Sequence, residues 1–225
     1  MSLKRKLIAI DGLDGSGKGT QTKMLCNYLE DNGVSFTRLS FPNYDMESST
    51  LVKMYLRGDF GENPEAVNPY AASSFFAVDR YASFKLKWQK DYEQGKILIA
   101  DRYTSANAVH QLSKLPKNDW GFYLNWLESY EFDLLDLPRP DKVIYLCVPP
   151  EISQNLIEKR CEQNGTKMDI HESSTDHLQK SYKAAVFASD YFGWTKIDCT
   201  VENKMRSVED IHSEILAHCY EIFNN

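Results

Sequence analysis

The sequence has no long apolar run, no excess of basic charge and no paired-cysteine motif. Its first apolar stretch, Leu7-Ile8-Ala9-Ile10, is cut short by Asp11. Neither a signal segment nor a membrane span is therefore expected, and the chain reads as cytoplasmic with no membrane partner. Lys plus Arg number 26 against 32 for Asp plus Glu, a net charge of −6. That balance argues against general binding to a nucleic-acid polymer, which needs a basic footprint, but leaves room for a small anion in a local basic pocket. Five scattered cysteines (Cys26, Cys147, Cys161, Cys199, Cys219) show no C-x-x-C spacing, which points to reduced thiols rather than a disulfide framework or a cysteine metal site. His171 and His177 fall in no coherent ligand spacing, so no metal role is expected of them. The one Asn-Lys pair, in Asn203-Lys204-Met205-Arg206, lacks the acid of a guanine-reading Asn-Lys-x-Asp, which argues against a GTPase-type switch. No internal repeat or low-complexity tract is visible.

What is present is a regular alternation. A length of 225 residues with 42% hydrophobic and 26% charged residues suits one globular domain spanning 1–225 with a sizeable core. Apolar runs of strand type fall at 7–10, 37–41, 96–101, 142–148 and 195–199, several closed by Pro or a carboxylate. Helical patterns fall at 50–57, 70–94, 151–161, 175–191 and 207–222, the last opened by Ser207 with Asp210 three places on. Strands alternating with helices predict an α/β fold of three layers, a parallel sheet of about five strands flanked by helices. Ligands then gather at the carboxyl ends of the strands.

The densest signal is the run from Asp11 to Gln21. Strand, glycine-rich turn, lysine and helix form the recipe for holding a polyphosphate: backbone N–H groups point inward and the helix start adds positive potential. Gly12, Asp14, Gly15, Ser16, Gly17, Lys18, Gly19 and Thr20 make the candidate phosphate cradle, with Lys18 as the point charge for the outer phosphates. Gly19 stands where the G-x-x-x-x-G-K-[S/T] pattern wants a hydroxyl, and Thr20 comes one place late. Asp101-Arg102 follows a buried strand, where Arg102 suits a phosphate and Asp101 suits magnesium held through water; an ion pair closing a strand end reads equally well. Phe76 and Arg80 share a helix face and suit a flat base with a carbonyl oxygen, or alternatively a core ring with an arginine outside. The polar stretch 158–172 reads as a mobile lid, or as an ordinary solvated loop.

Together these residues resemble the thymidylate kinase family, P-loop nucleoside monophosphate kinases. The resemblance rests on Gly12–Lys18, Phe41-Pro42-Asn43-Tyr44, Phe76-Ala77-Val78-Asp79-Arg80, Asp101-Arg102-Tyr103 with Asn107, and Leu137-Pro138-Arg139-Pro140-Asp141. It implies transfer of the ATP γ-phosphate to dTMP with Mg2+, a three-layer P-loop fold and a homodimer. It further implies that Asp14 binds the acceptor sugar, Tyr44 and Arg102 lie at the acceptor phosphate, and Phe76, Arg80 and Asn107 read the base. His110 falls where many members carry Tyr. Gly15 falls where some carry a catalytic Arg, which passes that charge to the lid residues Lys159, Arg160 and Lys167. Kinases of another pyrimidine monophosphate or of a deoxynucleoside, and a non-catalytic nucleotide-binding relative, are the alternatives.

Overall fold

The computed structural model describes residues 6–224. In chain order the main elements are β1 (Lys6–Gly12), α1 (Lys18–Asp31), β2 (Phe36–Ser40), α2 (Thr50–Arg57), α3 (Pro69–Ser83), α4 (Gln89–Glu93), β3 (Ile97–Asp101), α5 (Ser105–His110), α6 (Trp120–Glu128), β4 (Lys142–Cys147), α7 (Pro150–Asn164), α8 (Thr175–Phe192), β5 (Thr195–Asp198), β6 (Thr200–Val201), β7 (Lys204–Met205) and α9 (Val208–Asn224). The first five strands form one parallel sheet in the order β2-β3-β1-β4-β5, and β6 and β7 form a small antiparallel hairpin.

The three layers follow from the alternation of side chains along the strands. In β1, Ile8 and Ile10 pack with Leu25 and Leu29 of α1 and Ile211 and Ile215 of α9. Leu7 and Ala9 point the other way and pack with Phe84, Trp88 and Tyr103. Both faces are covered, so the central strands are apolar almost throughout, as in other buried parallel sheets. Asn68 caps α3 through Tyr70 N–H, with Pro69 in the first helical turn. The run expected as one helix over 70–94 is α3 and α4 joined by a π-helical turn at Phe84–Trp88. Ser207 Oγ accepts the Asp210 N–H at 3.1 Å, as the capping pattern predicts.

The aromatic stretch after residue 119 is α6 followed by a second π-helical turn, Ser129–Leu134. Trp120, Tyr123, Leu124 and Leu127 enter the core, while Phe122 is exposed. In the stretch 158–172 the helix expected to end at 161 runs three residues further, at the expense of the expected loop. The first half of the stretch continues α7 to Asn164, buried on one side through Ile157 and Cys161, and Gly165 at φ 63° ends the helix. Only residues 165–174 connect α7 to α8. All five cysteines are buried free thiols, and among the described residues no helix is long and apolar enough to cross a membrane.

Leu25 is fully buried between α1 and the sheet. Leu25→Ala is expected to destabilise the protein by about 2–5 kcal/mol, through lost transfer energy and the cavity left behind. Urea denaturation monitored by circular dichroism measures it.

Candidate active site

The carboxyl end of β1 lies between those of β3 and β4, so the glycine loop leaves the middle of the sheet. The loop tolerates little bulk. A Cβ on Gly12 would stand 2.5 Å from Ser16 Oγ and 3.0 Å from the Leu146 carbonyl oxygen. Gly15, at φ 78°, lies against α7: a Cβ there would stand 2.6 Å from the Ser153 carbonyl oxygen. Ser153 Oγ in turn donates to the Asp14 carbonyl oxygen. The backbone of α7 thus fills the space beside Gly15, and a side chain there would have to displace it.

Lys18 opens α1, and its ammonium donates to the Leu13 carbonyl oxygen at 3.2 Å and to Asp14 Oδ1 at 3.3 Å. Arg102 sits at the end of β3 in the left-handed region, φ 64°, with its N–H donated to Ile10. Its guanidinium pairs with Asp14, donates to His110 Nε2 at 3.1 Å, and stands 3.7 Å from Asp11 Oδ1. Asp11 is wholly buried and also accepts from Ser105 Oγ at 2.7 Å. Burial pushes the Asp11 carboxyl up, with Arg102 working against it. At Asp14 burial pulls the same way, but the charges of Arg102 and Lys18 prevail and hold the group well below the usual carboxylate range. Burial, then Arg102, pulls the Lys18 ammonium down.

A cavity of about 320 Å³ opens beside this cluster, at the small end of the range typical for ligand pockets. It is lined by Asp14, Lys18, Gly19, Tyr44, Phe76, Arg80, Asp101, Arg102, Asn107 and His110, and by Arg160, Asp169, His171 and Glu172 from α7 and its connection to α8. The expected acceptor residues Asp14, Tyr44, Phe76, Arg80, Arg102, Asn107 and His110 therefore share one cavity. Arg160 reaches it, ion-paired with Glu172. Lys159 is exposed on α7, outside this lining, and Lys167 lines a neighbouring cavity with Tyr44 and Asp169. Thr20 is exposed on the first turn of α1.

Arg80 is buried, not on the outer face of α3. It forms a two-pronged pair with Glu131, Nε to Oε2 at 2.7 Å and NH2 to Oε1 at 2.5 Å. Burial opposes its charge, and Glu131 outweighs that. Glu131 also accepts from Asn107 Nδ2 at 3.0 Å, and the same nitrogen donates to the Ser73 carbonyl oxygen at 3.2 Å. Both Asn107 amide hydrogens are spent, which leaves its oxygen as the group to offer a ligand. Asp79 fixes the other wall: it accepts from Asn43 N–H at 2.8 Å and Ser48 Oγ at 2.7 Å, beside Tyr44. Sequence reasoning missed Glu131, Ser105 and Ser153. The one available signal was an acid set among Trp126, Tyr130 and Phe132.

Magnesium fits one place by its donor chemistry. The Asp101 carboxylate lines the cavity with Lys18, and its Oδ2 lies 3.3 Å from where a Cβ of residue 19 would stand. Gly19 keeps that space clear for a hydrated cation.

The fold brings His110 together with two histidines that are far from it in sequence. His110, His171 and His177 are buried together, each with a ligand-capable atom within 4.8 Å of the others.

Two outcomes test this geometry. Glu131→Ala leaves the Arg80 charge buried without its partner, and should cost about 3–5 kcal/mol of stability in urea unfolding. Asp169 has its carboxyl pushed up to about 7, by burial first and then by the Asp14 charge. The unfolded chain gives up this proton near pH 4, whereas the folded protein keeps it to about 7, so the group lowers stability as pH rises between those values. Asp169→Asn should therefore raise the urea midpoint over wild type at pH 8, with the advantage gone near pH 4.

A family model described as thymidylate kinase matches residues 10–215. The thymidylate kinase of Plasmodium falciparum is 28% identical over 223 residues, covering 97% of this chain and 91% of that protein. That of Mycobacterium tuberculosis is 30% identical over 186 residues, covering 81% and 84%. Among solved structures, thymidylate kinase from Candida albicans superposes with a TM-score of 0.69 at 20% identity, over 96% of this chain and 92% of that one. It shares the fold. The family match begins within β1 and ends within α9, taking in every element that lines the cavity, and the chain belongs to the thymidylate kinase family.

Proposed function

We propose that the chain transfers the γ-phosphoryl group of ATP to dTMP, releasing dTDP and ADP, as a step in dTTP synthesis. One observation carries the choice of acceptor. Asn107 has spent both amide hydrogens and offers an oxygen in the same cavity as Phe76, Arg80, Lys18 and Arg102. An acceptor oxygen suits the N3–H of thymine or uracil, whereas cytosine presents a lone pair at that position. Phe76 supplies a stacking face, and Arg80, held by Glu131, faces a ring carbonyl.

The chemistry asks mainly for charge management. A nucleoside monophosphate is mostly dianionic at neutral pH, since its second pKa is about 6, so a phosphate oxygen attacks the γ-phosphorus without a strong base. Two anions must be brought together, aligned and kept dry. Lys18 leaves Leu13 and Asp14 for the donor phosphates, which the loop amides also hold. Arg102 grips the acceptor phosphate, with Tyr44 beside it, and the ionised Asp14 accepts from the acceptor sugar. Arg160 exchanges Glu172 for phosphate as the lid closes, and is the lid cation in place for this; Lys159 and Lys167 lie further out. Mg2+, when bound, spreads the charge of the ATP phosphates, and Asp101 would hold it through water. Homodimerisation is part of the proposal, supported by exposed Val78 and Tyr81 on α3. So is a cytoplasmic setting, supported by the five unpaired thiols.

ADP formation dependent on each of dTMP, dUMP, UMP, dCMP and thymidine tests the acceptor. dTMP is expected to be preferred, and absence of turnover with dTMP overturns the reading. Lys18→Ala and Arg102→Ala should each lower kcat/KM by more than about tenfold, a transition-state loss above roughly 1.4 kcal/mol. Near-normal turnover in either folded variant removes that residue from the mechanism.

A further inference from the structure

His110, His171 and His177 are three of the five histidines in the chain. They come from three separate places: the end of α5, the connection between α7 and α8, and the first turn of α8. Ring centroids are 4.5 Å apart for His171 and His177, 5.3 Å for His110 and His171, and 5.8 Å for His110 and His177. Ligand-capable atoms, one from each ring, lie within 4.8 Å of one another. Nitrogens around a tetrahedral zinc ion are roughly 3.3 Å apart, given bonds of about 2.0–2.1 Å. The nitrogens need to close by about 1.5 Å, and His110, which lies face to face with His171 and His177 at interplanar angles of 14° and 21°, must also turn about its side-chain torsions to aim a nitrogen at the shared centre.

The surroundings suit ligation. Burial holds all three rings neutral at ordinary pH, which is the ligating state. His171 Nε2 lies 2.7 Å from Tyr55 Oη, and His177 Nε2 lies 3.3 Å from Ser181 Oγ. Tyr55 Oη accepts from Lys114 Nζ at 2.7 Å and has a second lone pair, with the Pro64 carbonyl oxygen as its own acceptor at 3.4 Å, and Ser181 donates to Ser113 Oγ at 3.3 Å. Each hydroxyl can therefore accept the Nε2 proton, leaving Nδ1 of both rings for a metal. This is the outer arrangement that orients metal-bound imidazoles. His110 Nδ1 is buried with no hydrogen-bond partner among the described residues. The Asp14 charge acts favourably on all three rings, against the cations Arg102, Lys18 and Lys114 nearby.

We propose that His110, His171 and His177 form a binding site for a divalent transition metal of the zinc class, separate from the magnesium of phosphoryl transfer. Three imidazoles favour zinc, cobalt, nickel or copper over magnesium, which prefers oxygen ligands. His110 and His171 line the acceptor cavity and His177 does not, so the fourth coordination position falls on the cavity side. A bound ion pins the α7–α8 connection to α5. It also releases Arg102 from His110. Arginine only donates, so the present contact requires His110 to carry its proton on Nδ1. A metal on Nε2 displaces Arg102 directly, and a metal on Nδ1 moves the proton to Nε2 and breaks the same bond.

The test uses the full chain without a histidine tag. Zn2+ is titrated by calorimetry and Co2+ by its visible absorption, and the imidazole nitrogens are followed by NMR. One ion per chain is expected, with shifts at His110, His171 and His177 and none at His212 or His218. His171→Ala and His177→Ala should each weaken Zn2+ at least tenfold, while His218→Ala should not. Failure to bind one equivalent of either ion overturns the proposal, as does undiminished affinity in a folded His171 or His177 variant. If those variants do not fold, the wild-type NMR decides: shifts confined to His212 and His218 overturn it. None of these readouts depends on the kinase reading.

Discussion

One guanidinium ties together three separate parts of the site. Arg102 faces Asp11, Asp14 and His110, which come from a strand end, the glycine loop and α5. The two carboxylates are taken from water as the sheet closes, a cost that grows steeply without a partner. Arg102 offsets it from a left-handed backbone conformation that a non-glycine residue adopts at a cost of about 1–3 kcal/mol. The strain sets the cation at the one point from which it reaches all three groups. Phosphate binding would then be an exchange of anions at an arginine already dehydrated, which avoids a fresh desolvation cost.

Glu131 does for Arg80 and Asn107 what Arg102 does for Asp11 and Asp14. It turns Arg80 inward and sets the orientation of the Asn107 amide. Replacing such a buried network with apolar groups often leaves stability unchanged. Its return is definition: Asn107 must present oxygen, and Arg80 cannot swing to solvent. The donor and acceptor pattern of the cavity is thereby fixed before any ligand arrives.

Much of this was legible from residue order. The strands, the glycine loop, α1 and the Ser207 cap follow local rules of alternation, turn chemistry and capping, and these survive burial unchanged. The gathering of Asp14 and Arg102 was legible too, because the loop and strand ends of a parallel sheet converge, whereas Phe76 and Asn107 were legible at the site only through the resemblance of their motifs. Contacts between distant residues were not legible. Nothing near Glu131 in sequence announces Arg80, and nothing near His110 announces His171 and His177. The last turn of α7, over 162–164, was hidden for a different reason: a polar surface helix shows little apolar period, yet Glu and Gln are good helix formers. The hairpin of β6 and β7 offers only two residues per strand, too few for any period to show.

The packing of Gly15 and Asp14 on Ser153 has a mechanical side. α7 is fastened to the glycine loop at Ser153 and carries Arg160 seven residues further along, about 10 Å away at 1.5 Å per residue. The helix is a lever with its fulcrum on the glycine loop. A tilt of about 6° at the fulcrum moves the far end by about 1 Å, enough to make or break a hydrogen bond. A displacement of the glycine loop would thus reach Arg160 through a rigid rod, since α7 is unbroken between them.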